Sequence, residues 1–298
     1  MADRSSRKCC PRWGGAEASA MNIFDEPKID CHNHVLDPVR HPYPDDVAYR
    51  PAGQEIGTLD QHRLVMDSYG IRHALVVGPN SGYGLDNRCL LDALDRSEGR
   101  YKGIAVVRND AGRDELQRLQ QAGVIGVAFN ATIHGPAHYL DTAALLRHLA
   151  DLGLWVQVQV RDDQMVALER LLLDGGARIL VDHAGRPDLA GGLQSPGFQA
   201  VLRLARSGRA VVKLSGHQKY SAGPWPYDDA LPHVRALVDA YGLDACVWAS
   251  DWPFLRAGER LDMGPLLRLV ERWWPDPADR RRLLWDTPRR LFHFGAAA

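Results

Sequence analysis

The stretch Lys28-Ile29-Asp30-Cys31-His32-Asn33-His34-Val35-Leu36-Asp37-Pro38 reads as one short buried strand that runs into a pair of histidines. Side chains two apart on a strand share a face, so His32 and His34 point together and Asn33 points the other way. Two adjacent imidazoles at a strand mouth suit a divalent metal or a polarised carbonyl. An H-x-H pair alone is as well explained by surface histidines. The rest of the chain decides between the two.

Seven further runs have the same character: His73–Val77, Lys102–Arg108, Val124–Asn130, Trp155–Val160, Arg178–His183, Ala210–Ser215 and Cys246–Asp251. With Ile29–His34 they make eight short segments rich in Val and Ile. Near-continuous hydrophobicity of this kind marks parallel strands covered on both faces. Amphipathic stretches separate them. TLDQHRLVMDSYG offers Thr58 as N-cap and Gly70 as stop, and DTAALLRHLADLG places Leu145, Leu149 and Leu152 on one stripe. Eight strand-then-helix units predict an α/β fold, a single-domain (β/α)8 or TIM barrel over residues 27–298. An open doubly wound sheet is the structural alternative, but no G-x-G-x-x-G or G-K-[ST] follows any strand.

Composition narrows the function. The chain has 298 residues and a formal net charge of −1, which gives no electrostatic case for nucleic acid. No run of apolar residues is long enough for a transmembrane helix, so no membrane partner is expected. Five cysteines without C-x-x-C spacing fit a reducing cytoplasm. The first 20 residues are basic and polar with no apolar core, unlike a secretory signal. Residues 1–26 are read as a disordered extension, with Met21 an alternative start. A small-molecule substrate is expected, and a homo-oligomer is allowed.

In a (β/α)8 enzyme the chemistry sits at the C-terminal strand ends. Those ends here carry His32 and His34, Arg108, Asn130, Gln157 and Gln159, His183, Lys213 and Ser215, and Asp251. Because the helix-facing side must be apolar, the histidines, Lys213 and Asp251 are assigned to the lumen. Singly, each has a plain structural explanation: a hydrogen-bonded histidine, a turn-capping aspartate, a snorkelling lysine. Jointly they describe a site.

The motifs DCHNH, VDHAGRPD, VKLSG and WASDWPF together resemble the amidohydrolase-related (amidohydrolase 2) family of the amidohydrolase superfamily. The likeness is to its lactonase group, which acts on pyrone dicarboxylates and sugar lactones. The resemblance covers residues 28–294 and implies a TIM-barrel hydrolase. It matches His32 and His34 to the strand-1 pair, His183 to the strand-6 histidine and Asp251 to the strand-8 base. On that reading Asp251 activates water for attack on a lactone, while His183 with His32 or His34 polarises the carbonyl.

Binuclear members of the superfamily have a carboxylated lysine on strand 4 and a histidine on strand 5. Here those strands are VIGVAFN and WVQVQV, and amides are poor zinc ligands. The expectation is no required cofactor, or one divalent metal such as zinc on His32, His34 and Asp251. Pyrone-dicarboxylate relatives carry an arginine in strand 4 where this chain has Ala128, which removes one carboxylate fork. Arg88, Arg108, Asn130, Lys213, Lys219 and Tyr49 are the candidate substrate contacts, with Trp225 at the rim. The alternatives are a nonoxidative decarboxylase of the same superfamily and a barrel that binds a metabolite without turnover.

Overall fold

The computed structural model describes residues 22–295 apart from Ala48 and Ser81. Eight parallel strands alternate with helices in the order the sequence predicts. They are β1 (Lys28–Asn33), β2 (Ile71–Val77), β3 (Tyr101–Ala105), β4 (Val124–Asn130), β5 (Trp155–Gln159), β6 (Arg178–Val181), β7 (Ala210–Leu214) and β8 (Cys246–Trp248). Neighbours in sequence pair in space from β1 to β8. The helices start and stop where the local chemistry directs. Thr58 caps Leu59–Ser68 by accepting from the Gln61 N–H, and Gly70 leaves that helix at φ 67°.

Several strands are shorter than their apolar runs. β6 stops at Val181 and β8 at Trp248, so His183 and Asp251 belong to the turns that follow. Both residues sit in the left-handed region, at φ 48° and φ 64°. Non-glycine residues are held there only when their surroundings over-determine them, which is common at functional sites.

The seam between β8 and β1 is closed by backbone bonds from Asp251 N to His32 O (2.8 Å) and from His34 N to Trp252 O (2.9 Å). Asp30 reinforces it. Its carboxylate accepts from Ser250 N and Oγ and from His32 N, and it is fully buried. Burial outweighs those bonds and raises its pKa to about 6.

β1 departs from strict alternation. Between Asp30 and Asn33 it advances three residues while β2 advances two, from Ala74 to Val76. One extra residue in a strand is a bulge. It lets Cys31 join the lumen cluster with Ile29, Leu75, Ile104 and Val247, while His32 still faces the mouth above them. At the opposite end the lumen is plugged by Trp285, Leu291, Phe292 and Phe294 of the C-terminal segment.

The ordered fold starts earlier than residue 27. Ile23 is fully buried and Phe24 packs edge-on against Tyr69, so residues 22–26 are part of the barrel base rather than of an extension. Residues 1–21 lie outside the described residues. Among the described residues no helix is long and apolar enough to cross a membrane.

Candidate active site

A cavity of about 780 Å³ opens at the C-terminal end of the barrel. On its floor three imidazoles and a carboxylate converge. Asp251 Oδ1 lies 3.7 Å from His32 Nε2, 3.8 Å from His34 Nε2 and 3.6 Å from His183 Nε2. The two strand-1 rings face each other, with 3.3 Å between their Nε2 atoms.

Each ring is fixed from behind. His34 Nδ1 donates to the Val77 carbonyl at 2.8 Å, and His183 Nδ1 lies 3.1 Å from Ser215 Oγ. His32 Nδ1 lies 3.0 Å from Asp182 Oδ1 and 3.1 Å from Lys213 Nζ. Gly216, at φ 65°, passes so close to His183 that a Cβ there would stand 2.6 Å from its Nδ1.

Burial pushes the pKa values of His32 and His183 well below the ordinary histidine value and lowers that of His34, so the rings are neutral. Burial alone would raise the Asp251 carboxyl. The Lys219 ammonium leads what outweighs it, and the net shift is downward. Lys219 Nζ lies 2.8 Å from Asp251 Oδ2 as an ion pair, which leaves Oδ1 to the histidines. The carboxylate is therefore ionised at neutral pH, as a general base must be.

The donor set fits one divalent ion. Ligand atoms of His32, His183 and Asp251 all lie within 4.8 Å of one another. Tetrahedral zinc with bonds of about 2.0–2.1 Å sets its ligands about 3.3 Å apart. The expected set of His32, His34 and Asp251 is gathered as closely, with His34 Nε2 3.3 Å from His32 Nε2 and 3.8 Å from Asp251 Oδ1, so His183 joins it as a further candidate ligand. β4 and β5 add no further metal ligand, since Gln157 is bonded to Asp182 and Lys213, and Gln159 to Asn130.

The expected substrate contacts divide. Asn130 and Lys219 line the cavity. Arg88 and Arg108 do not: their side chains are about 70% exposed and fold back onto Asp86 and Asp110, two residues away. A carboxylate that close in sequence captures the guanidinium before it can reach the mouth. Lys213 is also displaced. It faces the lumen but is fully buried beneath the floor, 2.8 Å from Asp182 and 2.6 Å from Gln157 Oε1. Tyr49 stands behind the rim, donating to Glu55 while its ring carries the Arg256 guanidinium at 4.5 Å. Trp225 is half exposed and donates to the Pro265 carbonyl.

The sequence reading passed over four contributors: Asp182, Arg186, Arg161 and Arg256. Arg186 follows His183 in the quoted VDHAGRPD motif. Its Nε is buried without a hydrogen-bond partner, and it shares the cavity wall with Arg161. Asp182 is adjacent to His183, so strict alternation would turn it away; the turn after β6 brings both inward.

A TIM barrel whose C-terminal end gathers three histidines and one aspartate defines a class of hydrolytic barrels. The chain belongs to the amidohydrolase family, whose model matches residues 29–294. It is similar to the 4-sulfomuconolactone hydrolase of Rhizobium radiobacter, with 32% identity over 95% of this chain and 96% of that protein. It is also similar to the 2-pyrone-4,6-dicarboxylate hydrolase of Comamonas testosteroni, with 27% identity over 89% of each. An amidohydrolase from Burkholderia multivorans, crystallised with zinc bound, shares the fold at 21% identity and a TM-score of 0.69, covering 90% of this chain and 100% of that one.

Proposed function

We propose that this protein hydrolyses a lactone bearing at least one carboxylate or sulfonate group. The observation that carries the reading is the convergence of Asp251 Oδ1 with three neutral imidazoles under a cavity walled by Arg186 and Arg161. The named relatives act on lactones of this kind. Ester opening needs a base for water, donors for the developing oxyanion and an acid for the leaving oxygen.

Asp251 takes a proton from water as the hydroxyl oxygen bonds to the carbonyl carbon. The carbonyl electron pair moves onto oxygen, facing the Nε2 atoms of His183 and His32. The carbonyl re-forms, the ring C–O bond breaks, and Asp251 returns the proton to the departing oxygen. Lys219 keeps Asp251 ionised between turnovers. The product is an open-chain acid. Where one divalent ion is held by His32, His183 and Asp251, it supplies Lewis-acid polarisation of the carbonyl. The anionic substituent pairs with Arg186, whose unsatisfied Nε suits a carboxylate or sulfonate fork.

The test is a panel of lactones in matched charged and neutral forms, with elemental analysis of the same protein sample. Opening of charged lactones, with at most one transition metal per chain, supports the reading. Loss of CO2 from aromatic acids without lactone opening would assign a decarboxylase. Binding without turnover of any compound would assign a metabolite-binding barrel. Two metals per chain would overturn the account of the floor.

A further inference from the structure

The cavity wall is divided by charge. Among the described residues that line it, every formally charged side chain lies on the turns after β5 to β8, from Arg161 to Glu259. The side formed by β2, β4 and the turns that follow them carries no charge.

On that uncharged side the polar groups are fixed in direction. β4 and β5 pair with Ala128 opposite Gln157 and Asn130 opposite Gln159. Asn130 Oδ1 accepts from the Thr132 N–H at 3.1 Å, the Ile133 N–H at 3.2 Å and the Thr132 hydroxyl at 2.6 Å. Two backbone donors need an oxygen, so this amide has one orientation only. Its Nδ2 then faces β5 and lies 3.1 Å from Gln159 Oε1. That contact orients the second amide in turn. With its oxygen turned to β4, Gln159 is partly exposed at the cavity and presents Nε2 there, a group that only donates. Ala128, two residues before Asn130, adds only a methyl to the same wall.

We infer that the substrate lies across this division, with its anionic group on the side of Arg161 and Arg186 and an uncharged oxygen against Gln159 Nε2. Gln159 is then a specificity-determining residue, held in its donor orientation by Asn130. The cation next along β5, Arg161, belongs to the anionic end: it lies 3.8 Å from Asp162 and close enough to Arg186 for the two charges to repel. A carboxylate against the β4–β5 wall would lose hydration and meet neutral amides and a methyl. An amide or ester oxygen gives up less hydration and gains the waiting donor. That the ligand is a lactone rests on the proposed function; the direction of the two amides does not.

The test uses lactones that differ at one position: 2-pyrone-6-carboxylate, its 4-carbamoyl derivative and 2-pyrone-4,6-dicarboxylate. Carbamoyl and carboxylate groups share a shape and differ in charge. Calorimetric Kd and steady-state KM are measured for the wild-type chain, Gln159→Leu and Gln159→Lys. The wild type should prefer the carbamoyl compound to the unsubstituted one by about 3- to 10-fold, and to the dicarboxylate by about tenfold or more. Gln159→Leu should bring the first ratio close to one. Gln159→Lys, which puts a cation on the wall, should shift the second ratio toward the dicarboxylate. A wild-type preference for the dicarboxylate overturns the inference, and so does a Gln159→Leu protein that keeps the wild-type ratios. If either variant does not fold, the wild-type ratios still decide. Failure to bind any of these pyrones overturns the inference, while turnover of other lactones would leave the hydrolase reading standing. Preferred binding of the carbamoyl compound without turnover of any lactone would remove that reading and leave the division of the wall standing.

Discussion

Two fully buried lysines lie at opposite ends of this barrel, and they are held in different ways. Lys28, at the base of β1, donates to the backbone carbonyls of Ile23, Phe24 and Glu26. Lys213, under the mouth, is held by the side chains of Asp182 and Gln157 and by His32. Backbone partners serve any sequence that folds, so the base is a structural pin that anchors residues 22–26 to the barrel. Side-chain partners are a more specific arrangement, and at the mouth they pass their order on to a reactive ring. Beyond them the wall keeps a guanidinium Nε without a partner. An unpaired polar group is costly in a finished core and useful in a binding site. One end of the barrel is closed by packing; the other is organised around what is yet to bind.

Substitutions at the two ends should part accordingly. Among substitutions at the mouth that leave the reacting groups in place, Gly216→Ala is the most severe, because its Cβ would meet the His183 ring at 2.6–2.8 Å in a left-handed conformation. A displacement of about 1 Å at a catalytic ring costs about 10²-fold in rate, with about 1–3 kcal/mol of stability lost to overpacking. Steady-state kinetics and thermal melting check both. Unchanged kcat would separate His183 from the chemistry. Next is Arg186→Met. Losing a charged hydrogen-bonding partner costs about 1.5–3 kcal/mol, so KM for a charged lactone should rise about 10- to 100-fold. KM for a neutral analogue should hardly move, and equal effects on both would remove the anion from the account of the wall.

The base should respond to pH and not to substrate. Burial lowers the Lys28 pKa from 10.5 to about 8. The unfolded chain then binds more protons than the native one between those values, so stability rises with pH across that window. The cost of burying the charge is present in full below about pH 8 and relieved toward pH 10.5, by at most about 3 kcal/mol. Denaturant unfolding at pH 7.5 and pH 10, compared with Lys28→Met, isolates this slope. A difference between the two proteins that does not change with pH would show that Lys28 stays charged.

Much of this was legible in the chain itself. The eight apolar runs with their capped helices dictate the barrel, and the polar residues that end them mark His32, His34, His183 and Asp251. Three features lay beyond pattern reading. The bulge in β1 depends on register with β2, which a single strand does not encode. Alternation places Lys213 in the lumen but says nothing of its depth, so a residue under the floor reads like one lining it. The turn at φ 48° after β6 brings Asp182 and His183 inward together, against the period of two. By contrast, the misplacement of Arg88 and Arg108 had a visible signal: Asp86 and Asp110 stand two residues from them.

The central claim is that Asp251 is the base that activates water beside the three imidazoles. Asp251→Asn keeps the shape and removes the proton acceptor, and single-turnover hydrolysis of a charged lactone by both proteins measures the difference. The account predicts a loss of about 10²–10⁴ in the chemical step, with substrate binding and the circular dichroism spectrum retained. Turnover by Asp251→Asn near the wild-type rate would contradict it and place the base elsewhere in the cavity.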